Sequence, residues 1–147
     1  MKKREASYTN LLKNGLKLMP GFLKFIRDIK KQKIMKAIAS SSGKDYIKLV
    51  MSSLDIKKYF DVIVSGQNIR RGKPYPDIFL KTAKQLRIKP KYCCVLEDSE
   101  NGVKAAKNAN MKVIVIPNKY TKNQDFSNAD FIFDSLKKVD WMLISSL

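Results

Sequence analysis

The sequence predicts an α/β fold, a three-layer sandwich around a mostly parallel sheet. Two observations predict it. From Phe22 onward, short apolar runs of strand length alternate with stretches whose apolar residues fall at helical spacing. Three polar clusters, Ser40-Ser41-Ser42, Lys73 and Glu97-Asp98, each lie just after a strand or on the loop before a helix. Open α/β sheets gather their sites at such strand ends.

The elements follow in order. Glu5 to Lys17 reads as a short helix with Leu11, Leu12 and Leu16 on one side, and Met19-Pro20-Gly21 breaks it. Phe22 to Lys31 is a helix whose apolar residues are Phe22, Leu23, Phe25, Ile26 and Ile29. Ile34 to Ala39 is a strand that ends in the hydroxyl-rich turn Ser40-Ser41-Ser42-Gly43. Asp45 to Leu54 is the next helix, and Asp61 to Ser65 the next strand. A polar loop, Gly66 to Asp77, carries Lys73 just before Pro74 and Pro76, which stiffen it and hold helix off until they are passed.

A helix with Ile78, Phe79, Ala83 and Leu86 leads to the strand Cys93 to Leu96. That strand ends in Glu97-Asp98-Ser99, and a helix with Val103, Ala105, Ala106 and Ala109 follows. The strand Lys112 to Ile116 is closed by Pro117, and Asn118 to Asn128 is loop. Phe131 to Phe133 is a short strand, and Leu136 to Ile144 a last helix.

Composition narrows the chemistry. The chain has 147 residues, enough for one domain with a core, and 44% are hydrophobic. No apolar run reaches the roughly 18 residues of a membrane-spanning helix. The first ten residues lack the apolar core of a secretory leader, so a cytoplasmic protein is expected. The formal net charge is +17, from 30 basic and 13 acidic residues. Such a charge attracts nucleic acid, but 25 of the 30 are Lys, dispersed along the chain. Base reading and bidentate phosphate contact favour Arg. Solvated lysine faces are the plainer account, and small phosphorylated substrates would be drawn in equally well. The chain has no histidine, which excludes Ser-His-Asp and Cys-His nucleophile systems. Cys93 and Cys94 are adjacent on a strand, facing opposite sides, and read as free thiols.

The three clusters share one chemistry. Hydroxyls and backbone N–H groups at a helix start suit a phosphate. A lysine on a stiffened loop suits the same phosphate as a point charge. Two adjacent carboxylates suit Mg²⁺, which bridges to phosphate oxygens. The plainer alternatives are helix capping by Ser40, Asp98 or Ser99, and an ordinary solvated Lys73.

Five stretches, A-I-A-S-S-S, Y-F-D-V-I-V-S-G, G-K-P-Y-P-D-I-F, V-L-E-D-S-E-N-G-V-K-A-A and N-A-N-M-K-V-I-V-I-P, occur in this order. In them the chain resembles the haloacid dehalogenase superfamily, and within it the phosphatase and β-phosphoglucomutase-like branch. The resemblance runs from Met19 to Leu136 and implies a Rossmann-like core. It implies that Ser40 and Ser41 bind phosphate, that Lys73 pairs with the phosphate and the nucleophile, and that Glu97 and Asp98 hold Mg²⁺. Asp77 is read as a helix cap and loop brace. Residues 1–19 match the last helix of a cap domain and its linker, and residues 20–147 an incomplete core.

One departure stands out. The family's nucleophile is the first Asp of a D-x-D-x-[T/V] motif on the central strand, and no D-x-D occurs here. The resemblance therefore implies a chain without its nucleophile strand and most of its cap, inactive alone. An N-terminal fragment or self-association would have to complete it. The expected substrates are small phosphorylated metabolites such as sugar phosphates. A non-catalytic phosphate-binding remnant of the same fold is the alternative, with a basic nucleic-acid-binding module behind it.

Overall fold

A computed structural model describes residues 15–147. Most of the helix expected over Glu5–Lys17 lies outside those residues. The elements, in chain order, are α1 (Phe22–Lys31), β1 (Ala37–Ser40), α2 (Lys44–Ser53), β2 (Val62–Ser65) and α3 (Asp77–Leu86). They continue with β3 (Cys94–Glu97), α4 (Glu100–Asn108), β4 (Lys112–Val115), β5 (Phe131–Ile132) and α5 (Trp141–Ser145). Short 3₁₀ turns join several of them.

Every strand pairing among the described residues is parallel, as the alternating pattern predicts. The strands form two groups, β1–β2 and β3–β4–β5. Ala37 to Ser40 lie opposite Val62 to Ser65, and Cys94 to Glu97 opposite Lys112 to Val115. Within the described residues, β1 pairs only with β2, and β3 only with β4. Each therefore has one backbone edge without a strand partner.

Three layers result from strict alternation along the strands. Val113 and Val115 of β4 turn to one side, where they meet Ile78, Phe79 and Ala83 of α3 and Val103, Ala105 and Ala106 of α4. Ile114 turns to the other side and joins Phe25 and Ile29 of α1. Helix α2 belongs to that second side, packing Ile47 and Met51 with Ile38 of β1. Val64 of β2 and Val95 of β3 share the first core, so one apolar cluster spans both strand groups. Cys93 packs against the first cluster and Cys94 against the second, on opposite faces as expected. Both thiols are free.

Boundaries differ from the sequence reading where polar contacts decide them. The first strand begins at Ala37 because Lys33 turns the backbone left-handed, at φ 56°. The Lys36 N–H then donates to Asp61 Oδ2 at 2.7 Å. The expected helix Leu136–Ile144 is two pieces, a 3₁₀ turn over Leu136–Lys138 and then α5. Asp140 breaks it by capping α5, its Oδ1 accepting from the Leu143 N–H at 2.9 Å. Among the described residues no helix is long and apolar enough to cross a membrane.

Asp130 ties the far side of the sheet together. Its Oδ2 accepts from the Val113 N–H at 2.8 Å and from Lys107 Nζ at 2.9 Å, and Lys112 Nζ reaches Oδ1 at 3.3 Å. Burial pushes its pKa upward, but these three donors outweigh burial and hold it below the ordinary value. A carboxyl depressed in the folded state adds stability above its unfolded pKa, about 3.9, and loses it as pH falls through the folded value. Asp130→Asn is therefore expected to lower stability clearly at pH 7. The gap to wild type should close as the solution is acidified below the carboxylate range. Urea denaturation across that range checks it, and a pH-independent gap would contradict it.

Candidate active site

Lys73, Glu97 and Asp98 come together where β3 ends. Glu97 is the last residue of β3, one residue beyond the expected strand end. The Ile116 N–H donates to its carbonyl at 2.8 Å and pins the ends of β3 and β4. Its side chain folds back over the first turn of α4. A β-carbon on Gly102 would fall only 1.9 Å from Glu97 Oε2, so a residue without one is needed for this side-chain position.

Lys73 reaches this carboxylate from the proline loop. Its Nζ makes an ion pair with Glu97 Oε1. The side chains are 15% and 7% exposed, so the pair is largely out of water. The ammonium also lies 4.8 Å from the centre of the Phe79 ring. The loop is braced on both sides of Lys73. Arg71 donates to both oxygens of Asp77, at 3.2 and 3.0 Å, and lies over the Tyr75 ring. The peptide bond between Lys73 and Pro74 is cis, and the Pro74 carbonyl accepts from Asn108 Nδ2 at 3.1 Å. Asp77 is thus the loop brace that was expected but not the cap. Pro76 occupies the N-cap position of α3, and Asp77 is the first helical residue.

Ser99 and Asp98 divide the roles that the sequence left open. Ser99 caps α4, its Oγ accepting from the Gly102 N–H at 3.2 Å while donating to Glu97 Oε2 at 3.3 Å. Asp98 caps nothing. It is exposed, and its Oδ2 accepts from Asn118 Nδ2 at 2.7 Å.

Ser40 and Ser41 stand at the end of β1, in the other strand group. Ser40 Oγ accepts from the Ser42 N–H at 3.2 Å, so it closes a local turn and does not cap a helix. Gly43 is the N-cap of α2, with no side-chain cap. The Lys44 N–H donates instead to Gln67 Oε1 at 3.2 Å. Ser65 Oγ donates to the Ser42 carbonyl at 2.7 Å, and Gly66 lets its own backbone lie against Ser41. A β-carbon there would sit 2.8 Å from the Ser41 Cα. The hydrogen bonds of this turn stay within itself and the end of β2. Those of Lys73, Glu97 and Asp98 form a separate group.

Sequence reasoning missed Asn118, Gln67 and Ser65. All three follow or end a strand, the position that drew attention to the other clusters. Burial disfavours the thiolate form of both cysteines. Burial raises the Cys93 thiol, and burial together with the nearby Asp130 and Cys93 pushes Cys94 up to about 12.

The donor set fits a hard divalent cation in part. Asp98 offers an exposed carboxylate, while Glu97 is engaged by Lys73. No third acidic, histidine or cysteine ligand gathers with them among the described residues. Mg²⁺ commonly takes one or two carboxylates and fills its other positions with water and substrate phosphate.

The parallel, three-layer α/β core carries a lysine and an acidic pair at the end of β3. Residues 1–116 match the family model described as haloacid dehalogenase-like hydrolase, and the chain belongs to that family. Its relatives lie in the phosphatase and β-phosphoglucomutase-like branch. It is 38% identical to the bifunctional riboflavin kinase/FMN phosphatase of Arabidopsis thaliana, over 82% of this chain and 32% of that one. The crystal structure of CbbY from Rhodobacter sphaeroides in complex with phosphate superposes with a TM-score of 0.86. The identity is 30%, over 94% of this chain and 63% of that one. The β-phosphoglucomutase of Clostridium difficile gives a TM-score of 0.84 and 27% identity, covering 99% and 63%. The chain therefore spans less than two thirds of the length of each.

The pairing of Lys73 with Glu97 predicts a measurable coupling. Lys73→Met would leave a carboxylate buried without its partner, at about 3 kcal/mol of stability. Lys73→Met combined with Glu97→Gln should recover most of that loss. Urea denaturation of the two single variants and the double variant at pH 7 checks it. Strictly additive losses would show that the two side chains do not act as a pair.

Proposed function

We propose that this chain provides the phosphate- and magnesium-binding part of a phosphatase or phosphomutase that acts on small phosphorylated metabolites such as sugar phosphates. The observation that carries the reading is the convergence of Lys73 with Glu97 and Asp98 at the end of β3. The phosphate seen in the CbbY structure and the FMN phosphatase and β-phosphoglucomutase relatives support the substrate class.

In this reading, the Ser40 hydroxyl and the Ser41 turn bind phosphate oxygens. Lys73 supplies a fixed positive charge beside the transferring phosphoryl group. Phe79 and the braced loop hold its ammonium in place, and Glu97 keeps it from swinging into solvent. Asp98, with Glu97 beside it, would hold Mg²⁺, which neutralises charge on phosphoryl oxygens when bound. A preorganised cation costs no rearrangement when charge develops in the transition state.

The chain's own residues provide no nucleophile. No D-x-D occurs in the sequence, histidine is absent, and burial raises both cysteine thiols. A carboxylate nucleophile and an acid/base group must come from elsewhere. The edges of β1 and β3 that have no strand partner among the described residues are where a strand from an N-terminal fragment, or from a second copy, would add. The missing motif equally favours a second reading, a non-catalytic phosphate-binding protein. Rescue separates the two.

The 147-residue chain alone is expected to release no phosphate from a generic phosphoester above background. With an added fragment carrying a D-x-D-x-[T/V] strand, Mg²⁺-dependent release should appear. Lys73→Ala should then lower it about 10²–10³-fold, as loss of one preorganised charge does. Robust turnover by the chain alone would defeat the claim that it lacks a nucleophile. Phosphate binding without rescue would favour the second reading.

A further inference from the structure

Asn118 is the one side chain among the described residues that donates to the Asp98 carboxylate from another element. Its position is fixed at every polar atom. Its backbone N–H donates to Thr121 Oγ1 at 3.0 Å, and its carbonyl accepts from the N–H groups of Thr121 and Lys122. Its side-chain Oδ1 accepts from the Tyr120 N–H at 2.8 Å. With Oδ1 committed to a backbone donor, the amide has one orientation, and Nδ2 faces Asp98 Oδ2 at 2.7 Å. No donor among the described residues reaches Asp98 Oδ1.

We infer that Asn118 is a positioning residue for Asp98, fixing its carboxylate so that one oxygen is presented to a divalent cation and the other is held back. The inference rests on the proposed reading of Asp98 as a metal-holding residue. Mg²⁺ demands near-octahedral geometry, which a single, oriented carboxylate oxygen serves better than a freely rotating group. A neutral amide can orient that carboxylate without cancelling its charge, as a lysine would. Outer partners of this kind commonly contribute about 10–100-fold to metal affinity. The donor comes from the strand end after β4, two residues past the point where Ile116 locks onto Glu97. One short stretch, Ile116 to Asn118, thereby sets the positions of both acidic residues.

The loop does not depend on the Asn118–Asp98 bond. Gln124 Oε1 accepts from the Glu100 N–H at 2.8 Å, and the Asp125 N–H donates to Glu100 Oε2 at 3.3 Å. These contacts tie the loop to the start of α4 independently. Orientation and loop integrity can therefore be tested apart.

The experiment titrates the full chain with Mn²⁺ and counts free ion by electron paramagnetic resonance. The variants are Asp98→Asn, Asn118→Ala, Asn118→Ser and Gln124→Ala. Serine at 118 can still accept from the Tyr120 N–H but is too short to reach Asp98. Expected are a loss of affinity in Asp98→Asn and a roughly tenfold loss in both Asn118 variants. Gln124→Ala should bind as wild type does, and the metal-free melting temperature of Asn118→Ser should not move. If Asp98→Asn loses affinity while Asn118→Ser stays within twofold of wild type, the inference is overturned and the metal reading stands. If wild type shows no saturable binding, or Asp98→Asn binds as well as wild type, the metal reading falls and this inference with it.

Discussion

Among the described residues, an unpaired edge on each of two parallel strands is the constraint on which the rest of the structure depends. β1 and β3 each bond to one neighbour among the described residues. Backbone N–H and C=O groups along an open edge must find water or another chain. Side chains, not a backbone ladder, join the two strand groups. Helix α3 lies over β1 and β2 and sends Ile78, Phe79 and Ala83 into a cluster that also holds Val64 and Val95. The loop before α3 adds the second link, carrying Lys73 to Glu97. A shared apolar core, this ion pair and the Asn108–Pro74 hydrogen bond join the groups where a continuous sheet would have a central strand.

The candidate site inherits this division. Glu97, Asp98 and Asn118 belong to the three-stranded group, Ser40 and Ser41 to the two-stranded one, and Lys73 reaches from the loop after the second to the end of the first. Lys73 neutralises Glu97 where both are nearly dry, and so leaves Asp98 as the exposed negative charge. In the proposed function, the lysine of this fold-stabilising contact would also serve an entering phosphate.

Much of the fold was legible because periodicity reports burial directly. The alternation Val113, Ile114, Val115 separates the two faces of β4, and the buried residues of α1 and α3 recur at helical spacing, although Leu23 and Leu80 are exposed. What was not legible depends on single polar contacts. Leu136 and Val139 share a core cluster at helical spacing, so nothing in the apolar pattern shows that Asp140 interrupts the helix. The candidate residues of the acidic pair were legible because two carboxylates end an apolar run in a basic chain. Asn118 was not, because an asparagine after a proline is ordinary turn chemistry until the fold sets it beside Asp98.

The open edges are tested most directly by native-state amide hydrogen exchange, read residue by residue in the 147-residue chain. Exchange reports whether each amide has a lasting hydrogen-bond partner. The amides of β4, paired on both sides, should be the slowest. Those of β1 and β3 that point away from β2 and β4 should exchange far faster than their inward-facing neighbours. They should slow when a D-x-D-x-[T/V] strand fragment is added. Equal, strong protection of both orientations in the chain alone would contradict the account, because it would mean that β1 and β3 already have partners on both edges.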